Sequence, residues 1–205
     1  MNFEFILLIP ILLFSLSLHE YAHGRVAYQM GDPTPKITGR LTLNPLAHLS
    51  LMGTLVLLVT RMFGWAKPVR VDPRHFDDPR KGMMYVGLAG PMSNILLATL
   101  LGVVFRIFRP YLILLFNARA IDSLFVMAVM LNIGLAFFNL LPIPPLDGSK
   151  ILKGILPRKY DKAFANIEAY GPFILLLVIM TGGLGVILRP VINFFLVILL
   201  GNPYL

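Results

Sequence analysis

Residues 3–23 read FEFILLIPILLFSLSLHEYAH, and the fold turns on how that stretch is taken. From Phe3 to Leu18 the one charge is Glu4; the other residues are Phe, Ile, Leu, Pro and Ser. The run ends in His19-Glu20-Tyr21-Ala22-His23. Residues four apart share a helix face, so His19 and His23 point the same way. Two imidazoles at that spacing can hold one zinc ion, and the glutamate between them can act as general base on a water. The competing reading is a pair of bilayer-edge histidines bonded to backbone. Ionisable residues inside membrane segments are costly and usually functional, which favours the metal site. Such a site needs a third protein ligand from elsewhere in the chain.

Composition places that ligand search in a membrane. The 205 residues are 57% hydrophobic and 14% charged, with a mean hydropathy of +0.78. Soluble domains carry about 25% charged residues. The expected class is therefore an all-α polytopic membrane protein, which excludes a soluble zinc peptidase. There is no cysteine, so metal ligands must be histidine and carboxylate. The net charge of +8 would suggest nucleic acid in a soluble chain. In a membrane protein it reads as Lys and Arg marking the cytoplasmic face, with no nucleic-acid partner. The first segment has no basic start and carries the His-Glu motif where a leader would be cleaved, so it is expected to be retained.

Outward from the motif, the first helix is expected over Phe3–Met30, closed by Gly31-Asp32-Pro33. Weak alternation over Thr34–Leu43 suggests a short strand or hairpin. Pro45 suits the first position of a helix, and His48 could orient a ligand or substrate or bond locally. Leu46–Phe63 is apolar but only about 18 residues long, marginal for a span. Val69 and Val71 alternate with charge, suggesting an exposed strand near 66–71. Met83–Phe108 is a clear span containing Ala89-Gly90-Pro91-Met92-Ser93-Asn94. Asn94 can be a helix–helix hydrogen bond or can position a substrate. Ala120–Leu141 is the next span, with Asn132 and Asn139 inside it. It ends in Pro142-Ile143-Pro144-Pro145-Leu146-Asp147-Gly148, where three prolines in four residues force an extended backbone. Asp147 is the carboxylate at that membrane edge, so it is the natural third ligand, or a helix N-cap, or both. Lys150–Lys162 reads as a basic amphipathic surface segment. Two apolar runs, Phe173–Met180 and Val186–Leu200, follow. The whole gives about five spans, one re-entrant or interfacial helix and short membrane-edge strands. All 205 residues form one domain, with a core over about 1–152 and a helical hairpin over about 163–205.

Three segments, taken in order, resemble the site-2 protease family of intramembrane zinc metalloproteases: His19–His23, Ala89–Asn94, and Asn139–Gly148 with its Leu-Asp-Gly. The likeness covers about Leu16 to Leu152. Asn44–His48 and Gly64–Val69 are similar to a compact prokaryotic branch without PDZ or CBS domains. That branch often carries Asp two residues after the histidine, where this chain has Ser50.

The resemblance implies one zinc ion per chain on His19, His23 and Asp147, with Glu20 moving the water's proton to the leaving amine. Asn94, His48 and Asn139 would hold the substrate or its oxyanion. The implied substrate is a membrane-spanning helix of another protein. Its carbonyls are tied up in its own hydrogen bonds, so it must unwind, and edge pairing near 36–43 or 66–71 could receive it. The alternative class is a non-proteolytic metal transporter or scaffold, which would need the ligands but not Glu20. To share a metal, the helices bearing the histidines and preceding Asp147 must run parallel, so Leu46–Phe63 is expected not to cross. That arrangement collects most of the 18 Lys and Arg on one face. By the positive-inside rule, the site then lies toward the cytoplasmic side of the inner membrane.

Overall fold

Apolar residues at helical spacing dominate the chain, and a computed structural model turns nearly all of them into helix. It describes residues 3–50, 53 and 67–201. Helix α1 spans Phe3–Gln29 and holds the His-Glu motif in its C-terminal half. It stops where Gly31 takes a φ of +100°, which side-chain-bearing residues avoid. Two single-turn helices follow, α2 (Thr34–Ile37) and α3 (Pro45–His48). Helix α4 runs Pro79–Leu115. Its start is set by Asp78, whose carboxylate accepts from the backbone N–H groups of Arg80 and Lys81 at 3.0 and 3.1 Å. Helix α5 (Ala118–Asn139) begins under an Asn117 cap. Then come α6 (Asp147–Ile155), α7 (Asp161–Met180) and α8 (Gly183–Leu200).

Three of these helices, α4, α5 and α8, are long and apolar enough to cross a membrane; Phe164–Met180 within α7 is a shorter apolar stretch. Contacts fix the directions of the helices around the site. Along α1, Ser15 and His19 meet Asn94 of α4, while His23 meets Val86, so the two helices are antiparallel. Along α4, Asn94, Phe105 and Arg109 meet Asn132, Phe125 and Asp122 of α5, again antiparallel. Helices α1 and α5 therefore run parallel, as a shared metal site requires. The apolar core joins Ala98 and Phe105 of α4, Ile121, Val129 and Ile133 of α5, and Leu200 of α8. Gly102 lets α8 close in, since a Cβ there would lie 2.8 Å from that of Leu199.

The expected strands are absent among the described residues. Over 34–43 the chain forms α2 and then a turn. Pro33 and Pro35 offer no N–H to a ladder, and the Asp32 carboxylate accepts from the Thr34 N–H at 2.9 Å, starting the helical turn. Gly39 then takes a φ of +67°, and the Arg40 N–H returns to the Pro35 carbonyl at 2.8 Å. The second expected strand is an extended strap over 67–72 whose N–H groups go to other partners. Lys67 donates to the His48 carbonyl at 2.7 Å, Val69 to the Glu20 carboxylate at 2.8 Å, and Asp72 to the Asp32 carboxylate at 2.7 Å. Apart from the α3 residues at its start, Leu49, Ser50 and Gly53, the apolar run 46–63 lies outside the described residues, as do residues 64–66.

Candidate metal centre

His19 and His23 project from adjacent turns of α1 toward the first turn of α6, where Asp147 stands. The segment 140–146 places Asp147 there. It runs in turns and bends, with the Leu146 N–H returning to the Ile143 carbonyl at 2.9 Å, and not in the extended backbone expected from its prolines, because proline's fixed φ suits a turn as well as an extended chain. Gly148 is required beside it, because a Cβ would sit 2.2 Å from the Leu140 carbonyl oxygen. Asp147 is the first helical residue of α6, with Leu146 in the cap position. All three side chains are buried. Their donor atoms form a small triangle: His19 Nε2 to His23 Nε2 is 2.9 Å, His19 Nε2 to Asp147 Oδ2 is 3.2 Å, and His23 Nε2 to Asp147 Oδ2 is 3.0 Å.

Hydrogen bonds on the far side of each ring decide what the triangle contains. His23 Nδ1 lies 2.6 Å from the Val86 carbonyl oxygen, which can only accept, so Nδ1 carries the proton. His19 Nδ1 lies 2.6 Å from Asn94 Oδ1. Each Nε2 therefore turns a lone pair toward a carboxylate oxygen, and three converging lone pairs call for a cation among them. Tetrahedral zinc with bonds of about 2.0–2.1 Å sets its donors about 3.3 Å apart, close to the edges seen here. The neighbouring helix also leaves space. A Cβ on Gly90 would lie 2.4 Å from His23 Nε2 and 2.5 Å from His19 Nε2. His19, His23 and Asp147 are also the group of three or more potential ligands found among the described residues. Two histidines and one carboxylate leave a zinc coordination position for water or substrate.

The triangle opens on a cavity of about 280 Å³, which Glu20, Asn139 and Lys150 line together with Val69 and Val71 of the strap. Glu20 has one oxygen held by the Val69 N–H, which orients its carboxylate within the cavity. Asn139 donates to the Leu135 carbonyl at 2.9 Å and borders the cavity. Asn94 is fully buried and sits behind His19, with its amide in contact with His19, Ser15 and Asn132. His48 does not line the cavity. Its Nε2 meets the Thr42 carbonyl oxygen at 2.8 Å, and its backbone carbonyl anchors the strap at Lys67.

Two contributors escape a reading of the sequence. Lys150 sets its ammonium 2.8 Å from Asp147 Oδ1, leaving Oδ2 to face the histidines. Its position three residues after Asp147 was the available signal. The Val86 carbonyl is a backbone atom, and no residue type announces it.

Comparison with known proteins agrees with this geometry. YwhC of Bacillus subtilis (strain 168), named as a zinc metalloprotease, is 40% identical over 190 residues, covering 91% of this chain and 85% of that protein. A family model described as Peptidase family M50 matches residues 114–180. This chain belongs to Peptidase family M50, the site-2 proteases.

Among other members, Rip2 of Mycolicibacterium smegmatis (strain ATCC 700084 / mc(2)155), also named as a zinc metalloprotease, is 33% identical over 185 residues, covering 88% of this chain and 69% of that protein. The zinc metalloprotease MJ0392 of Methanocaldococcus jannaschii is 30% identical over 173 residues, covering 82% of this chain and 41% of its own. No solved structure matches. The protein is thus a zinc metalloprotease of the site-2 type and an integral membrane protein, and its cofactor is Zn2+.

Proposed function

We propose that this site-2 protease hydrolyses a peptide bond in or near the transmembrane segment of another membrane protein, as in regulated intramembrane proteolysis. His19, His23 and Asp147 would hold one zinc ion, which when bound supplies Lewis acidity and lowers the pKa of a water. The observation that carries the reading is Glu20 on the wall of the same cavity as the histidine pair and Asp147. Its carboxylate is the base within reach of a water in that cavity, and it can return the proton to the leaving amine. Asn139, which borders the cavity, is assigned contact with the substrate. Asn94 and His48 act at one remove, Asn94 on His19 and His48 on the strap. The extended strap would receive an unwound substrate segment by main-chain pairing, which offsets the hydrogen bonds that segment has lost.

The whole chain is proposed to work as one domain, with a catalytic core over about 1–152 and the C-terminal hairpin over about 163–205. Helices α1 and α7 join α4, α5 and α8 as spans, giving five. The hydrogen bond between His48 and Lys67 brings the two flanks of the run 49–66 together. That contact supports a run that starts and finishes on one face, with the site toward the cytoplasmic side of the cell membrane.

Purified protein reconstituted with single-span candidate substrates should cleave at least one of them, and a zinc chelator should stop it. Glu20→Gln should lower the rate by about 10²–10⁴-fold with zinc retained, the range for a lost general base. Near-wild-type cleavage by that variant overturns the role of Glu20. A metal transporter would keep its function in Glu20→Gln, so the same variant separates the two classes.

A further inference from the structure

Among the buried polar side chains that the metal-site reading does not use, one is an amide. Asn132 lies in the middle of α5, is fully buried and does not line the cavity. A buried amide in a spanning helix is costly unless satisfied, and helix–helix adhesion is its ordinary role. Its hydrogen bonds lead instead to a metal ligand. Asn132 Nδ2 donates to the Ala128 carbonyl at 2.9 Å. Because that carbonyl only accepts, the Asn132 amide must face it with nitrogen and turn its oxygen to α4. Asn94 Nδ2 donates to that oxygen at 2.9 Å. Asn94 must then turn its own oxygen toward α1, where it faces His19 Nδ1 at 2.6 Å. An oxygen there requires the proton on Nδ1 and leaves Nε2 as the donor toward the metal. One backbone carbonyl in α5 thus fixes three successive choices and ends at the tautomer of His19. The Ser15 carbonyl also accepts from Asn94, at a longer 3.3 Å, so Asn132 provides the shorter of two holds on that amide.

We infer that Asn132 is a positioning residue for the metal centre, acting through Asn94 to hold His19 in its zinc-ligating orientation. The inference rests on the proposed ligand set. Residues that directly orient a metal-ligating histidine change metal affinity by about 10–100-fold when removed, and one step further out the effect falls toward the lower end of that range.

The test is zinc affinity, measured on the detergent-solubilised full chain by competition with a chromophoric chelator. Asn94→Leu should weaken binding by about 10–100-fold and Asn132→Leu by about tenfold. In the Asn94→Leu background, Asn132→Leu should add less than a twofold change, because its route to His19 is already cut. Val129→Ala, at a fully buried apolar position on the same helix, should lower thermal stability and leave zinc affinity unchanged. If Asn132→Leu does not fold, Asn132→Ser serves. Its hydroxyl can satisfy the Ala128 carbonyl but cannot reach Asn94, so the same weakening is expected. Affinity within twofold of wild type in a folded position-132 variant overturns the inference. So does a tenfold loss that persists in the Asn94→Leu background. A wild-type protein that binds no zinc overturns the ligand set and this inference with it; normal wild-type binding beside an unaffected variant overturns this inference alone.

Discussion

The helices around the metal centre and the C-terminal pair α7–α8 are built on different terms. About a third of the apolar window of α4 is buried within the protein (33%), against 6% for α8. Around the metal, α1, α4, α5 and α6 meet through directional polar contacts and close glycine approaches. Gly90 faces the histidine nitrogens, and Gly87 lies near the Asp147 carbonyl, where a Cβ would come within 3.1 Å. The C-terminal pair instead turns large apolar side chains outward, among them Phe173, Met180 and Val186, each at least 70% exposed. In water such a face would drive association. In lipid it matches its surroundings, and burying it gains little. The first region should therefore be sensitive to single atoms, and the outward face of the second tolerant of any apolar residue.

The largest break in that contrast comes at the ligands. Asp147→Ala should remove most of the bound zinc, read by metal analysis of purified protein; full stoichiometric zinc would refute the ligand set. Gly90→Ala should do nearly the same, since its methyl would enter the space beside both Nε2 atoms. Gly134→Ala provides the comparison at the α5–α8 contact. Its Cβ would lie an ordinary 3.7 Å from Ile192, so zinc content should hold, and stability should stay level or rise by up to about 1 kcal/mol from helix propensity.

A smaller effect is expected at Asp32, whose carboxylate is fully buried and joins the end of α1 to the strap. Asp32→Ala strands the Thr34 and Asp72 N–H groups, a cost of about 2–4 kcal/mol. Thermal unfolding in detergent should register it, and cleavage should fall as Val69 loses its station beside Glu20. Val186→Leu, on the outward face of α8, should change neither zinc content nor stability by more than about 0.5 kcal/mol.

The smallest effect lies at the protein surface. Hydrogen bonding from Arg74 holds the Asp72 carboxyl down at about 2. A depressed carboxylate adds stability above its unfolded pKa and loses it as pH falls toward 2. Arg74→Ala should therefore differ slightly from wild type above about pH 4 and converge with it in stronger acid. A difference that grew on acidification would refute this coupling.

How much of the site was legible depended on distance along the chain. The spacing of His19, Glu20 and His23 is a property of one helix, and the proline-rich approach to Asp147 is a property of one loop. Both could be read locally. The alternation over 34–43 misled, because Pro33, Pro35 and the Asp32 side chain act on the backbone more strongly than a weak pattern of apolar residues. The strap at 67–72 did prove extended, but the Glu20 and Asp32 carboxylates and the His48 carbonyl take its N–H groups in place of a neighbouring strand. Lys150 looked like one more basic residue on an amphipathic helix until α6 was placed against the histidines.

The sequence by itself determined the membrane setting, the helical class, and a candidate donor set of two imidazoles and a carboxylate with Glu20 between the histidines. Those follow from composition and from spacing within single elements, where covalent geometry allows few alternatives. Tertiary structure alone decided that the Val86 carbonyl and the Asn94–Asn132 pair fix the ring tautomers, and that the strap borders the cavity. These are contacts between groups 38 to 75 positions apart. No local rule couples such groups; helix packing sets their distance, and the need to satisfy every buried donor and acceptor sets their orientation.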